Sequence, residues 1–207
     1  MPATLTDLPV ALSIAGSDSG AGAGIQADLL TFAANGVYGT TAITCLTAQN
    51  PLGVSGVQAT SPAFVLEQCH QVTRHYRPKA LKTGMLLNVE VVEAVAGFIA
   101  EAKIPAVIDP VMVASSGATL LSAEAVAAVA RKLLPLAAVV TPNLDEASIL
   151  LGRKALGGTQ SPAEALELAR RYGVPFLVKG GHADGDALVD ALAWPDGRTL
   201  TLTAQRI

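Results

Sequence analysis

Charge is scarce in this sequence. Asp, Glu, Lys and Arg make up 15% of its 207 residues, and aromatic residues only 4%, with a single tryptophan. That composition provides no basic, aromatic-interleaved surface for nucleic acid, and the formal net charge of −3 offers a polyanion no general attraction. Long hydrophobic runs are missing as well. Apolar residues reach 51% and mean hydropathy is +0.45, yet no stretch approaches the roughly 18 apolar residues of a membrane span. The first ten residues lack the charged start and long apolar core of a secretory signal. Two cysteines, Cys45 and Cys69, do not make a disulfide framework and read as small buried hydrophobes. His70 and His75 stand five apart rather than at the i,i+4 spacing of a zinc-binding helix, and read as surface residues. These absences leave a cytoplasmic enzyme with neither nucleic acid nor membrane as partner.

What is present is an alternation. Val10–Ala15 reads as a strand, the Gly/Ser/Asp-rich stretch to Gly24 as a turn, and residues 22–35 as a helix stopped by Asn35-Gly36. Gly39–Thr47 reads as a second buried strand, with a turn at Asn50-Pro-Leu-Gly53 and a short edge strand at Gly56–Ala59. A helix capped by Ser61 with Pro62 in its first turn runs to about Tyr76. Strands at Ala80–Thr83, Ala106–Ile108, Val139–Thr141 and Phe176–Lys179 alternate with helices at Val89–Ala102, Ala123–Leu134, Asn143–Leu151 and a last one to Tyr172. Ser161-Pro-Ala-Glu164 has the spacing of a capping box. Two runs flanking Pro195-Asp-Gly197 predict an antiparallel hairpin. The fold class is α/β: one domain with a mostly parallel central sheet, helices on both faces and the hairpin at one edge.

Ligands of such sheets bind outside the carboxyl ends of the strands. The segments expected there are Gly16–Gly24, Gln49-Asn50, Gly84-Met85, Asp109, Asn143–Glu146 and Lys179–His182, and their convergence predicts a small-molecule site. The junction at Gly16–Gly24 exposes backbone N–H groups at a helix start, which suits an anion or a polar molecule. Gly22-Ala-Gly24-Ile-Gln-Ala27 formally fits a dinucleotide fingerprint, but the second strand ends in the amide Gln49 where that fingerprint needs an acid. No lysine follows the glycines, so a Walker-type loop is excluded too.

Gly16-Ser-Asp-Ser-Gly-Ala-Gly-Ala-Gly-Ile-Gln-Ala-Asp28 and Thr47-Ala-Gln-Asn50 resemble the hydroxymethylpyrimidine and hydroxymethylpyrimidine-phosphate kinases of thiamine biosynthesis, in the ribokinase-like superfamily. Lys82-Thr-Gly-Met85, Asp109-Pro-Val-Met112, Thr141-Pro-Asn-Leu-Asp-Glu146 and Lys179-Gly-Gly-His182 continue the resemblance in order along nearly the whole chain. It implies ATP- and Mg²⁺-dependent phosphorylation of a pyrimidine alcohol and then of its phosphate, by an enzyme that commonly forms homodimers. It places Gln49 on the pyrimidine, where an amide matches adjacent ring donors and acceptors. Met85 packs on the ring, Ala21 and Gly22 contribute backbone contacts and Val111 an apolar wall. Asp18 either bonds the substrate or braces the loop. Asn143, Lys179 and His182 fall to the nucleotide, Glu146 and Asp109 to Mg²⁺, and Lys179 with Asp109 to catalysis. Asn143 and Glu146 also fit a helix capping box, and the two roles are compatible.

The sequence departs from the family in two places. Relatives carry a Gly-Thr-Gly-Cys segment whose N–H groups form an anion hole for the transferring phosphoryl group, and nothing up to Ile207 supplies it. A shortened chain, a terminal segment missing from the given sequence and a non-catalytic remnant remain open. Ser115 stands where relatives often carry lysine. A pyridoxal or pyridoxine kinase, a non-catalytic pyrimidine-binding protein and a nicotinamide oxidoreductase are the rival readings.

Overall fold

Short β-branched and apolar runs separated by helices fold here as the alternation predicts. The computed structural model describes residues 8–112, 121–181 and 187–205. Along the chain lie β1 (Val10–Ala15), α1 (Gly24–Ala34), β2 (Tyr38–Ile43), β3 (Cys45–Asn50), β4 (Gly53–Ala59), α2 (Pro62–Tyr76), β5 (Ala80–Thr83), α3 (Val89–Ala102), β6 (Ala106–Ile108) and α4 (Ala123–Ala128). They are followed by β7 (Val139–Val140), α5 (Leu144–Leu151), α6 (Ser161–Tyr172), β8 (Phe176–Val178), β9 (Ala187–Ala193) and β10 (Thr199–Gln205). Among the described residues the main sheet has eight strands in the order β10-β9-β8-β7-β6-β5-β1-β2, and β3 pairs with β4 in a separate ribbon. Strands β2, β1, β5, β6, β7 and β8 are parallel, while β9 and β10 add an antiparallel hairpin at the edge.

Register sorts the side chains into transverse rows. In one, Ala42, Ile14, Thr83, Ile108, Val140, Phe176 and Ala193 stand side by side, each buried almost completely. Helices α2, α3 and α6 lie over this side; Val91, Val95, Phe98, Leu168 and Ala169 complete its core. On the other side Ser13, Lys82, Val107 and Val139 form one row, and Leu177, Leu192 and Leu200 form another two positions further along β8. Helix α1 covers the Ser13 end, whereas Val107, Val139, Leu177 and Leu192 are half-buried and Leu200 is exposed. Parallel sheets ordinarily bury both faces, so the first row carries most of the core.

The helix ends follow their local chemistry. The side chains of Ser61, Asn88, Ser122 and Asn143 each accept a backbone N–H at a helix start. Gly152 and Gly173 end α5 and α6 in the left-handed conformation.

Four expectations need correction. The predicted strand Gly39–Thr47 is divided at Thr44, whose N–H bonds the Ala15 carbonyl at 3.0 Å and whose hydroxyl bonds the Met85 carbonyl at 2.6 Å. These bonds turn the chain out of the sheet and into the ribbon. The short edge strand at Gly56–Ala59 is the end of the longer β4, paired only with β3. The helix expected over Ala123–Leu134 is α-helical to Ala128, then continues as a π turn over Val129–Leu133 and a 3₁₀ turn over Leu134–Leu136. Pro135 has no N–H to extend the regular ladder. Ser161 does not cap α6. It is already helical, its buried hydroxyl has no partner among the described residues, and Glu164 instead accepts the N–H groups of Leu156 and Gly157 and pairs with Arg153.

If the Phe176 row is the core, Phe176→Ala costs about 3–5 kcal/mol. Leu202→Ser, at an exposed position on β10, stays within about 0.5 kcal/mol. Urea unfolding midpoints measure both, and equal losses would contradict this division of the sheet.

Candidate active site

Six parallel strands end on one edge, and each predicted segment but one follows directly from them. The loop after β1 is held from inside by Asp18. Its buried carboxylate accepts the N–H groups of Gly20 at 2.8 Å and Ala23 at 2.9 Å. Asp18 therefore braces the loop, and its charge already fills the amide cluster that the sequence offered to an external anion. Ala21 sits at φ 59°, a left-handed conformation that costs a non-glycine residue energy. Ala21 and Gly22 are exposed at the loop tip. Gly24, at φ 60°, has no room for a side chain, because a Cβ would stand 2.5 Å from the Gly16 carbonyl oxygen.

Gln49 lies on β3, not at the end of a sheet strand, yet the ribbon carries it to the same place. The Ser19 hydroxyl donates to the Gln49 carbonyl and accepts its N–H, and the Thr47 hydroxyl donates to the Ser17 carbonyl. A bulge between Ala48 and Gln49 shifts the pairing on β4, and the Thr47 hydroxyl meets the Gln49 side-chain oxygen at 3.3 Å. A bulge of this kind re-aims a side chain. Met85 and Cys45 close the base of the loop; a Cβ on Gly16 would lie 3.1 Å from Met85 Cε and 2.9 Å from Cys45 Sγ. Burial pushes both thiols up, Cys69 to about 12, which makes them packing groups, not nucleophiles.

Charges alternate along the rest of the edge. Lys179 Nζ is 3.1 Å from Asp109 Oδ1, and Lys82 Nζ is 4.0 Å from Asp109 Oδ2 and 3.0 Å from Asp28. The Thr141 hydroxyl also faces Asp109 at 3.4 Å, and the Ser13 hydroxyl donates to Asp28. Asn143 and Glu146 form a reciprocal capping box at the start of α5 with both bonds at 2.8 Å. Asn143 also meets Lys179 in a parallel bridge. Val111 lies beside Gly84, Leu86 and Pro110 in a narrow apolar cleft next to Asp109. A surface depression between His70, Arg77, Phe98 and Glu101 lies at the opposite end of β5 and β6 and contains none of these residues. His182 and Ser115 fall outside the described residues.

Lys82, Asp28, Ser13 and Thr141 join this edge in addition to the residues expected there. Two signals pointed to the first and third: a lysine between Leu81 and Thr83, and a serine between Leu12 and Ile14, in strands otherwise destined for the interior. Among the described residues no three His, Cys, Asp or Glu side chains gather as a metal cage. Asp109 and Glu146 with Lys179 alongside fit a divalent ion that keeps its waters and shares phosphate oxygens, the usual habit of Mg²⁺.

The sequence profile of the phosphomethylpyrimidine kinases matches residues 18–207. The chain belongs to this family. A hydroxymethylpyrimidine/phosphomethylpyrimidine kinase of Synechococcus elongatus is 53% identical over 180 residues, 86% of this chain and 68% of the relative. The crystal structure of a phosphomethylpyrimidine kinase from Clostridium difficile superposes with a TM-score of 0.84 at 37% identity, covering 95% of this chain and 84% of that one. An ADP complex of Bacillus subtilis pyridoxal kinase gives 0.83 at 34% identity, covering 97% and 76%. The ribokinase-like fold expected from the resemblance is thus the fold observed.

Glu146 gives this family member a pH dependence. Burial pushes its carboxyl from 4.5 up to about 7; the Asn143 N–H opposes the rise, the charge of Asp109 adds to it, and Lys179 opposes it. The folded protein thus holds this proton to higher pH than the unfolded chain. Its stabilisation is complete below about 4.5 and is lost as pH rises through about 7. The difference is of order 3 kcal/mol. In Mg²⁺-free buffer the melting temperature of the wild type falls more steeply between pH 5 and 8 than that of Glu146→Gln. Parallel curves would remove buried Glu146 as the cause.

Proposed function

We propose that this chain binds 4-amino-5-hydroxymethyl-2-methylpyrimidine and its monophosphate and transfers phosphate to each from ATP with Mg²⁺, giving the diphosphate used for thiamine. The observation that carries the reading is the joining of two chemistries on one edge. Gln49 and the braced glycine loop offer neutral hydrogen-bonding groups, and Lys179 with Asp109, Asn143 and Glu146 offers charge. A small uncharged ring fits the first part and a nucleotide triphosphate the second.

The residues divide the work accordingly. Gln49 pairs with the aminopyrimidine edge, and Met85 and Val111 bound the ring with apolar surface. Ala21 and Gly22 close over it through their backbone. Asp18 holds the loop and spends both carboxylate oxygens doing so. Lys179 meets the phosphates, where transfer depends on positioning and electrostatics. Asp109 and Glu146 hold the hydrated Mg²⁺, which offsets charge on the phosphate oxygens when bound. Asn143 fixes Glu146 through the capping box, and His182 adds to the nucleotide loop. No residue of the 207 is assigned the anion hole. The free, buried state of Cys45 and Cys69 accords with a reducing cytoplasm.

A pyridoxal-phosphorylating activity is the second reading, favoured by the likeness to the Bacillus subtilis pyridoxal kinase. Calorimetric titration with the two alcohols, followed by mass spectrometry after ATP and Mg²⁺ are added, separates them. The pyrimidine alcohol binds more tightly and gains one phosphate and then a second. Gln49→Ala weakens its binding about tenfold to a hundredfold, the loss of two hydrogen bonds. Pyrimidine affinity unchanged by that substitution, or preferred uptake of pyridoxal, would reverse the assignment.

Two copies join through the ribbon in this reading. Leu46, Leu52 and Val57 expose apolar side chains on the two faces and the turn of the ribbon, and burying them between two copies removes that surface from water. Light scattering at micromolar concentration then reports twice the chain mass for the wild type and the single mass for Leu46→Lys/Val57→Lys.

A further inference from the structure

Polarity alone makes Lys82 the anomaly of the sheet. It is the third residue of β5, between Leu81 and Thr83, both about 1% exposed. Such a lysine ordinarily extends its stem until the ammonium reaches water. Lys82 instead places its ammonium between two carboxylates, 3.0 Å from Asp28 and 4.0 Å from Asp109. The fold keeps that space open: a Cβ on Gly84 would stand 3.2 Å from Lys82 Nζ and 2.9 Å from the Ala15 Cβ. The anchor is independent of Asp109, because Asp28 is carried by α1 and takes the Ser13 hydroxyl of β1.

Asp109 therefore has two cationic neighbours of different standing. Lys179 lies closer, at 3.1 Å, and its side chain is 39% exposed; that of Lys82 is 22% exposed and tied down elsewhere. A lysine that is the only counter-charge of a half-buried carboxylate does not give itself fully to an incoming phosphate, since its departure strands the carboxylate. We propose that Lys82 is the positioning residue for phosphate binding: it remains as the anchored counter-charge of Asp109 when Lys179 turns to the nucleotide. The proposal rests on the reading of this edge as a nucleotide-phosphate site. Lys82 acts through Asp109 and Lys179, and no bond to it forms or breaks. Glycine at position 84, serine at 13 and aspartate at 28 then share one purpose, the placement of a single ammonium.

The test uses Lys82→Met, Lys82→Arg and Asp28→Asn in the 207-residue chain. Calorimetry is run separately with Mg²⁺·AMP-PNP and with the pyrimidine alcohol, and melting curves check the fold. Lys82→Met weakens Mg²⁺·AMP-PNP about tenfold, because Lys179 then stays with Asp109 at the expense of one charge-assisted phosphate contact, and leaves the pyrimidine within about twofold. Lys82→Arg, which keeps the charge, recovers most of the loss. Asp28→Asn loosens the anchor and moves nucleotide affinity in the same direction, which keeps the test decisive if Lys82→Met does not fold. Unchanged nucleotide affinity in the variants overturns the proposal, and so does an equal loss for both ligands or an arginine variant as weak as the methionine one. A wild type that takes up neither ligand overturns the reading of the edge and this proposal with it. Binding of both by the wild type with no effect of Lys82→Met overturns the role of Lys82 alone.

Discussion

Parallel strands whose middles are packed between layers leave most polar chemistry to their ends. That constraint shapes the whole site. The transverse row from Ala42 to Ala193 admits no charge, and its one polar member, Thr83, has a buried hydroxyl without a partner among the described residues. Thr83 is the last residue of β5, where the interior gives way to the edge. Immediately past the strand ends the character reverses: Asp18 after β1, Asp109 after β6, Asn143 after β7 and Lys179 after β8. Because the strands are parallel, these reversals coincide in space. An antiparallel sheet with the same residues would divide them between two edges.

The second requirement is that the edge hold still. Its loops have little hydrophobic surface of their own, so they are fixed by hydrogen bonds to one another. Asp18 ties the glycine loop internally, Ser19 and Thr47 tie that loop to the ribbon, and Thr44 ties the ribbon's root to Met85. Each is a short polar side chain satisfied by backbone, which is how irregular segments avoid stranded donors and acceptors. The ribbon's position over the site is thus a consequence of three hydroxyls, not of apolar packing, and its outer side chains remain available to a second surface.

How much of this could be read beforehand differs from residue to residue. Ala80–Thr83, Val89–Ala102 and Ala106–Ile108 were legible to the residue because apolar periodicity changes sharply at Pro78, Asn88 and Pro105. The edge was legible too, since polarity at strand ends needs only the order of elements. Thr44 was not: a threonine in a β-branched run reads as strand, and only its tertiary bonds to Ala15 and Met85 divide the run. Ser161 failed for the opposite reason. Its spacing to Glu164 is that of a capping box, but Glu164 finds Leu156, Gly157 and Arg153, partners brought by the preceding turn and invisible in a four-residue pattern. Lys82 and Ser13 were visible as misfits, but their meaning lay in Asp28, which reaches them across 54 and 15 residues of chain.

The misfits share a logic that connects stability to function. Glu146 is buried at 2% exposure and held by Asn143, Lys82 occupies an interior strand position, and Ala21 takes a left-handed conformation. Each departs from what folding alone favours. Local choices that oppose the global fold tend to mark sites of function, because the surrounding structure must offset their cost. Here the offsets are specific: the capping box for Glu146, the Asp28 anchor for Lys82, the Asp18 brace for Ala21. Every offset is electrostatic or a hydrogen bond, made by a side chain in direct contact with the misfit residue or its loop. A bound phosphate or cation acts in the same terms and over the same distances. On the proposed reading, a ligand at this edge competes directly with the contacts that hold its residues, which is the use of a carboxylate shared by two lysines: one leaves while the other stays.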